Sequence, residues 1–167
     1  SITSDNSTST LAKANDDVTL TFTASESIST PTVTFRSGGD AITDGSVVYR
    51  NTSGNTWTAV YTANASDTDG AVTYSIAFGD TTGNAGTAVT SGSGSVTTDT
   101  TAPTLSNVSI TSDNSTSTLA KANDDVTLTF TASESISTPT VTFRSGGDAI
   151  TDGSVVYRNT SGNTWTA

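Results

Sequence analysis

The chain has 167 residues, enough for one domain or two small ones, and carries 16 acidic residues against 6 basic ones, for a net charge of −10. This charge repels nucleic acid and anionic membranes, and no apolar run is long enough to span a bilayer, so we expect neither partner. Cysteine, histidine and methionine are absent, which excludes a disulfide framework, His- or Cys-based catalytic triads, and the usual ligands of zinc, haem and copper.

Apolar residues alternate with Thr and Ser along most of the chain, which is the period of a half-buried β-strand. The pattern predicts a first strand, read from its second occurrence at 105–111, followed by strands at 18–24, 32–35, 46–50, 56–62, 71–78 and 87–98. Seven such strands separated by turn residues predict an all-β, antiparallel sandwich of two sheets with Greek-key connections. Trp57 is the largest apolar side chain in these strands, and we expect it at the centre of the core.

Residues 1–59 recur without change as residues 109–167, at an offset of 108 residues. A unit of this length has the size of a whole small domain, so the sequence predicts domains joined in a tandem array. We place the first repeat at 1–98, with its first strand truncated, a linker at 99–103, and a partial second repeat at 104–167 that lacks its last strands.

We expect residues 104–167 not to fold alone, because a sandwich without its last strands exposes sheet edges and half of its core. The missing strands can come from continuation of the same polypeptide, which we favour. The alternative is that a neighbouring molecule supplies them by β-strand addition.

Four segments along the unit carry a family resemblance. They are the linker Asp-Thr-Thr-Ala-Pro at 99–103, the stretch 11–26, the strand Asn-Thr-Trp-Thr-Ala at 55–59, and the turn Asp-Thr-Thr-Gly-Asn at 80–84. Together they resemble the bacterial immunoglobulin-like (Big-type) tandem repeats of large surface adhesins, over the whole unit. The resemblance implies seven-stranded Ig-like sandwiches at the cell surface, serving cell adhesion as an extracellular spacer, often stiffened by calcium, that holds a terminal adhesive domain away from the cell.

Calcium is the one cofactor that the acidic residues suggest. In a seven-stranded sandwich, the loop between the first two strands, the loop between the fifth and sixth strands, and the C-terminal linker share one end. Carboxylate oxygens are the ligands that Ca²⁺ prefers. The candidate ligands at an interdomain joint are Asp16, Asp17, Asp67, Asp69 and Asp99, joined by Glu134 of the next repeat. The alternative is that these Asp residues cap turns by accepting backbone N–H groups.

Two further chemistries are conceivable and both are disfavoured. An isopeptide bond from Lys13 to an Asn needs a buried lysine, and Lys13 lies in a polar stretch that predicts exposure to solvent. Glu26 with Asp40 or Asp44 could form a glycosidase pair, but paired carboxylates arise by chance in an acidic chain. We therefore expect no enzyme.

Perfect identity over 59 residues favours a function that scales with length, since a binding pocket needs one good copy and a stalk needs many. The sequence and the resemblance thus predict a structural spacer repeat of an extracellular bacterial adhesin or surface fibre. The alternative is a subunit of a self-assembling extracellular filament or sheath, held by strand complementation or lateral contacts. In both cases the expected partners are neighbouring identical repeats, in the same chain or in adjacent chains.

Overall fold

The computed structural model describes residues 1–150 and 154–167, and the regular elements in them are β-strands. The all-β class predicted from the alternation is therefore confirmed. The chain divides into two compact units, Ser1–Thr101 and Ala102–Ala167. Among the described residues, none forms a helix with the length and apolar character needed to cross a membrane.

The first unit lies wholly within the described residues and contains nine strands. They are β1 (Ile2–Ser4), β2 (Leu11–Ala12), β3 (Asp17–Thr23), β4 (Thr32–Ser37), β5 (Asp40–Ala41), β6 (Val48–Ser53), β7 (Thr56–Thr62), β8 (Gly70–Ala77) and β9 (Thr97–Thr98). The expected strands at 18–24, 32–35, 56–62 and 71–78 are confirmed by β3, β4, β7 and β8, with small shifts at their ends. The sequence did not indicate β2 and β5, because a two-residue strand is too short to show alternation.

The strand expected at 87–98 is wrong over most of its length. Regular pairing there is limited to β9 and to a single bridge between Val89 and Ile76. Gly94 interrupts the segment with φ +82°, outside the β region. The irregular segment around Gly94 lies against β1. A Cβ on Gly94 would lie 2.4 Å from the carbonyl oxygen of Ile2, so this close approach requires glycine.

The nine strands form two sheets. One has the order β1-β3-β7-β6, with all neighbours antiparallel. The other has the order β2-β9-β8-β4-β5, in which only the short β2–β9 pair is parallel. The longest ladders are β3 with β7, over seven residue pairs, and β4 with β8, over six.

The two sheets share one hydrophobic core, which is the arrangement of a β-sandwich. Alternation along the strands produces it: Val18 and Leu20 of β3 are buried, and Thr19 between them is only half-buried. The rings of Phe35 and Tyr61, from opposite sheets, lie with their centroids 4.8 Å apart. The buried apolar side chains of this core are Ile2, Ala12, Val18, Leu20, Val33, Phe35, Ala59, Tyr61, Ala63, Val72, Ile76 and Val96.

Trp57 does not belong to this buried set, so the expectation that it forms the centre of the core is wrong. Its side chain is half-buried and is paired across the ladder with Phe22, also half-buried, near the turn between β6 and β7. Ala59 and Tyr61 lie on the same face of β7 and are both buried. Burial thus deepens along β7 away from the turn, and alternation predicts the face of a side chain but not its depth.

The second unit repeats part of this architecture. Its strands among the described residues are β10 (Leu105–Ser112), β11 (Val126–Ala132), β12 (Arg144–Ser145), β13 (Asp148–Ala149), β14 (Arg158–Ser161) and β15 (Thr164–Thr166). The sheet β10-β11-β15-β14 has the same order as β1-β3-β7-β6, and β10 confirms the first strand expected at 105–111. The hairpin β12–β13 corresponds only to the end of β4 and to β5.

Candidate functional site

Asp16 closes the turn between β2 and β3. Its Oδ2 accepts hydrogen bonds from the Lys13 backbone N–H (2.9 Å) and from Asn6 Nδ2 (2.6 Å), and its Oδ1 pairs with Lys13 Nζ. Burial raises the pKa of Asp16, but the backbone and side-chain donors of Lys13 and the amide of Asn6 outweigh it and hold the pKa below its usual value. The carboxylate is therefore ionised at neutral pH and stabilises the turn through these hydrogen bonds.

Asp17 follows Asp16 in sequence but binds different partners. Its Oδ1 accepts a hydrogen bond from Thr62 Oγ1 (2.7 Å) on the paired strand β7. Its backbone N–H donates to Asp5 Oδ1 (2.8 Å), and the Asp5 N–H donates back to the Asp17 carbonyl (3.1 Å). These bonds attach the loop after β1 to the start of β3.

Asp67 holds two loops together. Its Oδ1 accepts from the Thr43 N–H (2.7 Å) and its Oδ2 from the Asn64 N–H (2.9 Å). The residue is buried, and a buried carboxylate is tolerated only with such donors. Asn64 also donates through Nδ2 to Asp44 Oδ2 (2.8 Å), so Asp44 joins the same loop contact.

Asp69 and Asp99 meet at Thr101. Asp69 Oδ1 accepts from the N–H (2.6 Å) and hydroxyl (2.9 Å) of Thr100, and its Oδ2 accepts from the Thr101 hydroxyl (2.6 Å). The Thr101 N–H donates to Asp99 Oδ1 (3.2 Å). The Thr101 hydroxyl and the Thr100 N–H hold the pKa of Asp69 below its usual value. These contacts hold residues 99–101, at the end of the first unit, against the residue that precedes β8.

Of the six acids predicted to bind calcium, the structure therefore brings Asp69 and Asp99 to a common partner. Asp16, Asp17 and Asp67 each have separate partners, and Glu134 lies half-buried after β11 in the second unit. Among residues 1–150 and 154–167, no three acidic side chains are grouped closely enough to share a metal ion. The five Asp carboxylates act as turn and loop acceptors, and calcium binding stays a prediction.

A further acidic turn, at Asp80, was not indicated as a site by the sequence. Asp80 Oδ1 accepts from the backbone N–H groups of Thr82 (2.9 Å) and Asn84 (2.8 Å) and from the Thr82 hydroxyl (2.9 Å), and Oδ2 accepts from Asn84 Nδ2 (2.7 Å). These donors, with the Asn84 side chain first, lower the pKa of Asp80 to about 2. The signal was present in the spacing Asp-x-Thr-x-Asn, which allows one carboxylate to accept four donors.

The structure also places the residues of the two disfavoured chemistries. The Lys13 side chain is 67% exposed, as its polar surroundings predicted, although it shares Asp16 with Asn6. Asp40 Oδ2 accepts from the Thr68 hydroxyl (2.8 Å), and Glu26 is exposed after β3. Lys13 and Asp40 thus take part in hydrogen bonds within the fold, and Glu26 faces solvent.

A concave surface in the second unit has a volume of about 670 Å³. We call it the second-copy groove. Its apolar lining consists of Val126, Val141, Phe143, Ile150, Val155, Val156 and Ala167. Asp124, Asp125 and Arg158 are the charged residues of its lining.

No protein-family model, no curated protein and no solved structure matches the chain.

Proposed function

We propose that the chain is a structural spacer of tandem Ig-like repeats, from the extracellular stalk of a bacterial adhesin or surface fibre that extends a terminal adhesive region from the cell. The observation that carries the proposal is the unchanged recurrence of residues 1–59 at an offset of 108, in a unit whose first copy forms a two-sheet β-sandwich. Repeating a whole folded unit adds length without altering its surface.

The strand order supports the Ig-like part of the proposal. Leaving out the edge strands β2 and β5, the first sheet joins the first, second, fifth and fourth strands in chain order. The other sheet joins the third and sixth strands with β9, which has only two residues, in the place of the seventh. This is the arrangement of the two sheets in immunoglobulin domains. The short strands β2 and β5 extend the second sheet at its two edges.

The polar groups support a mechanical role over a catalytic one. Asp16, Asp67, Asp69 and Asp80 accept hydrogen bonds from two or more donors each, and these bonds fix loops between strands. Carboxylates used in this way resist loop opening. The net charge of −10 adds repulsion between neighbouring chains, which counters aggregation of identical sandwiches.

Small-angle X-ray scattering on chains that carry one, two or three additional 108-residue units tests the spacer proposal. We expect the maximum dimension to rise by the same increment with each unit, because every added sandwich extends the array. A dimension that grows progressively less with each unit would show compact association and would contradict the spacer.

Calcium at the joint is a second, separable proposal, supported by Asp69 and Asp99 meeting at Thr101. Chelator should lower the melting temperature of the chain, and the double substitution Asp69→Asn with Asp99→Asn should abolish the difference. Asp148→Asn, on an exposed hairpin, is the matched control and should leave the difference intact. An unchanged melting temperature in chelator would remove calcium from the proposal.

A further inference from the structure

The second-copy groove exposes apolar side chains that are unusual on a protein surface. Val126 is 38% exposed, Ile150 47% and Val156 59%, and Val141 and Phe143 are half-buried beside them. Contiguous apolar surface of this kind marks a place where another segment binds. The structure itself indicates which segment, because most of the groove has an identical counterpart that is covered.

In the first copy most of these positions are closed, although Val48, the counterpart of Val156, is 53% exposed there. Val18 and Phe35, the counterparts of Val126 and Phe143, are buried. Residues 60–98 supply a large part of the core around them: the Tyr61 ring lies against Phe35, and Val72, Ile76 and Val96 belong to the same cluster. A segment of this sequence therefore fits the groove in shape and in apolar pattern.

The backbone offers a matching edge. In the first copy, β4 pairs with β8 from Thr32 opposite Ala77 to Ser37 opposite Val72. In the second copy only the last two residues of the corresponding strand, β12, are paired, and they pair with the hairpin strand β13. The equivalent edge at 140–145 is thus open for an incoming antiparallel strand.

Within these 167 residues there are two copies of the 1–59 half and one copy of the 60–98 half. If a second chain swapped its own 60–98 segment into the groove, it would open its first unit and expose as much core as it covered. Exchange between two such chains therefore gains no net burial. The favoured occupant is a 60–98 segment that is not already paired.

We propose that the second-copy groove is a binding site for an unpaired polypeptide segment with the sequence of residues 60–98. The segment adds a strand to the edge at 140–145, in the register of β8 on β4, and inserts its alternating Val72, Tyr74 and Ile76 side chains between the sheets. This inference rests on the repeat and on the two copies of the fold, and it does not require the stalk function.

The test mixes isotope-labelled 167-residue chain with a synthetic peptide of residues 60–98 and follows amide resonances and the mass of the complex. We expect a 1:1 complex, with resonance changes confined to residues 102–167. New amide protection should appear at Thr142 and Arg144, the counterparts of Thr34 and Arg36 opposite β8, whereas the Val141 N–H already donates to the Tyr157 hydroxyl. A peptide with Val72→Asp and Ile76→Asp should bind more than about 100-fold more weakly, since each change buries a charge.

Variants of the chain supply matched controls. Phe143→Asp lies in the groove and should abolish binding, whereas Thr140→Asp, at an exposed position that does not line the groove, should preserve it. Absence of binding, or resonance changes in the first unit, would overturn the proposal. Dimers of the chain without peptide would identify a second copy as the occupant and would also overturn it.

A second measurement applies if the synthetic peptide aggregates on its own. A chain extended after Ala167 by the sequence of residues 60–98 should show, at Ile110 and Val126, the amide protection of Ile2 and Val18. Continued fast exchange at Ile110 and Val126 would contradict the proposed fit, whatever the scattering of longer arrays shows about the spacer.

Discussion

The first and second copies of the 59-residue repeat have one sequence and two different environments. Ile2 is 2% exposed and its counterpart Ile110 is 60% exposed, while Val18 is fully buried and Val126 is 38% exposed. The difference follows from residues 60–98, which cover the first copy and have no counterpart beside the second within these residues. The repeated 59 residues therefore determine which side chains face the core, and residues 60–98 determine how deeply those side chains are buried.

Contacts whose partners both lie inside the repeat are nearly the same in the two copies. The Tyr49 hydroxyl accepts from the Val33 N–H at 2.8 Å, and the Tyr157 hydroxyl accepts from the Val141 N–H at 2.9 Å. By contrast, β2 requires β9 as its partner, and residues 119 and 120 form no strand. Secondary structure at these positions depends on a long-range partner and not on local propensity.

The largest expected difference between the copies is at the core phenylalanine. Phe35→Ala should destabilise the first unit by about 3–5 kcal/mol, because it empties a buried site against Tyr61. Phe143→Ala, the identical change in the second copy, should cost no more than about 1 kcal/mol, because that side chain is only half-buried. Urea unfolding followed by amide exchange in each unit measures both.

Equal losses at the two positions would break the comparison, since they would mean that Phe143 is as well covered as Phe35. The control is Thr34→Ala with Thr142→Ala, two exposed neighbours on the outer face. Both should change stability by less than about 0.5 kcal/mol.

A smaller effect is expected at Gly94, which lets the segment before β9 cover Ile2. Gly94→Ala should cost about 2–3 kcal/mol, because φ is +82° and a Cβ would meet the Ile2 carbonyl at 2.4 Å. Gly83→Ala is the matched control: its φ is +100° but the space around it is open, so the cost should be about 1 kcal/mol. Amide proton exchange at Ile2 should accelerate only in the Gly94 variant. Equal exchange rates in both variants would show that the segment around Gly94 does not bury β1.

The sequence predicted the strands and the inward faces because period-two alternation is a local property. It did not predict the depth of Trp57 or the irregular chain around Gly94, since both depend on where the opposite layer ends. The acidic residues were recognised as loop residues, but their partners were not. Asp69 meets Thr101 across 32 residues of sequence, and no spacing rule predicts such a pair.

The smallest expected effect concerns the acidic turns, where the two copies should agree. In the first copy, burial raises the pKa of Asp16, but the donors of Lys13 and Asn6 have the larger effect and the net pKa is lowered. In the second copy, the donors of Asn114 and Lys121 lower the pKa of Asp124. A carboxyl whose pKa is lower in the folded chain than in the unfolded chain stabilises the fold. This stabilisation is complete above the pKa of the unfolded chain, about 4, and is lost as the pH falls through the pKa of the folded chain. Both turns should therefore weaken in acid, over the same range below about pH 4.

Carboxyl carbon resonances recorded between about pH 2 and pH 6 measure both groups in one chain. Asn6→Ala should raise the pKa of Asp16, and Asn114→Ala should raise that of Asp124, each without effect on the other copy, because each amide donates only to its own turn. If Asp16 alone titrated below its usual range, the turn would depend on the covering segment 60–98. Agreement between the copies would show that this turn forms from residues inside the repeat, without the covering segment 60–98.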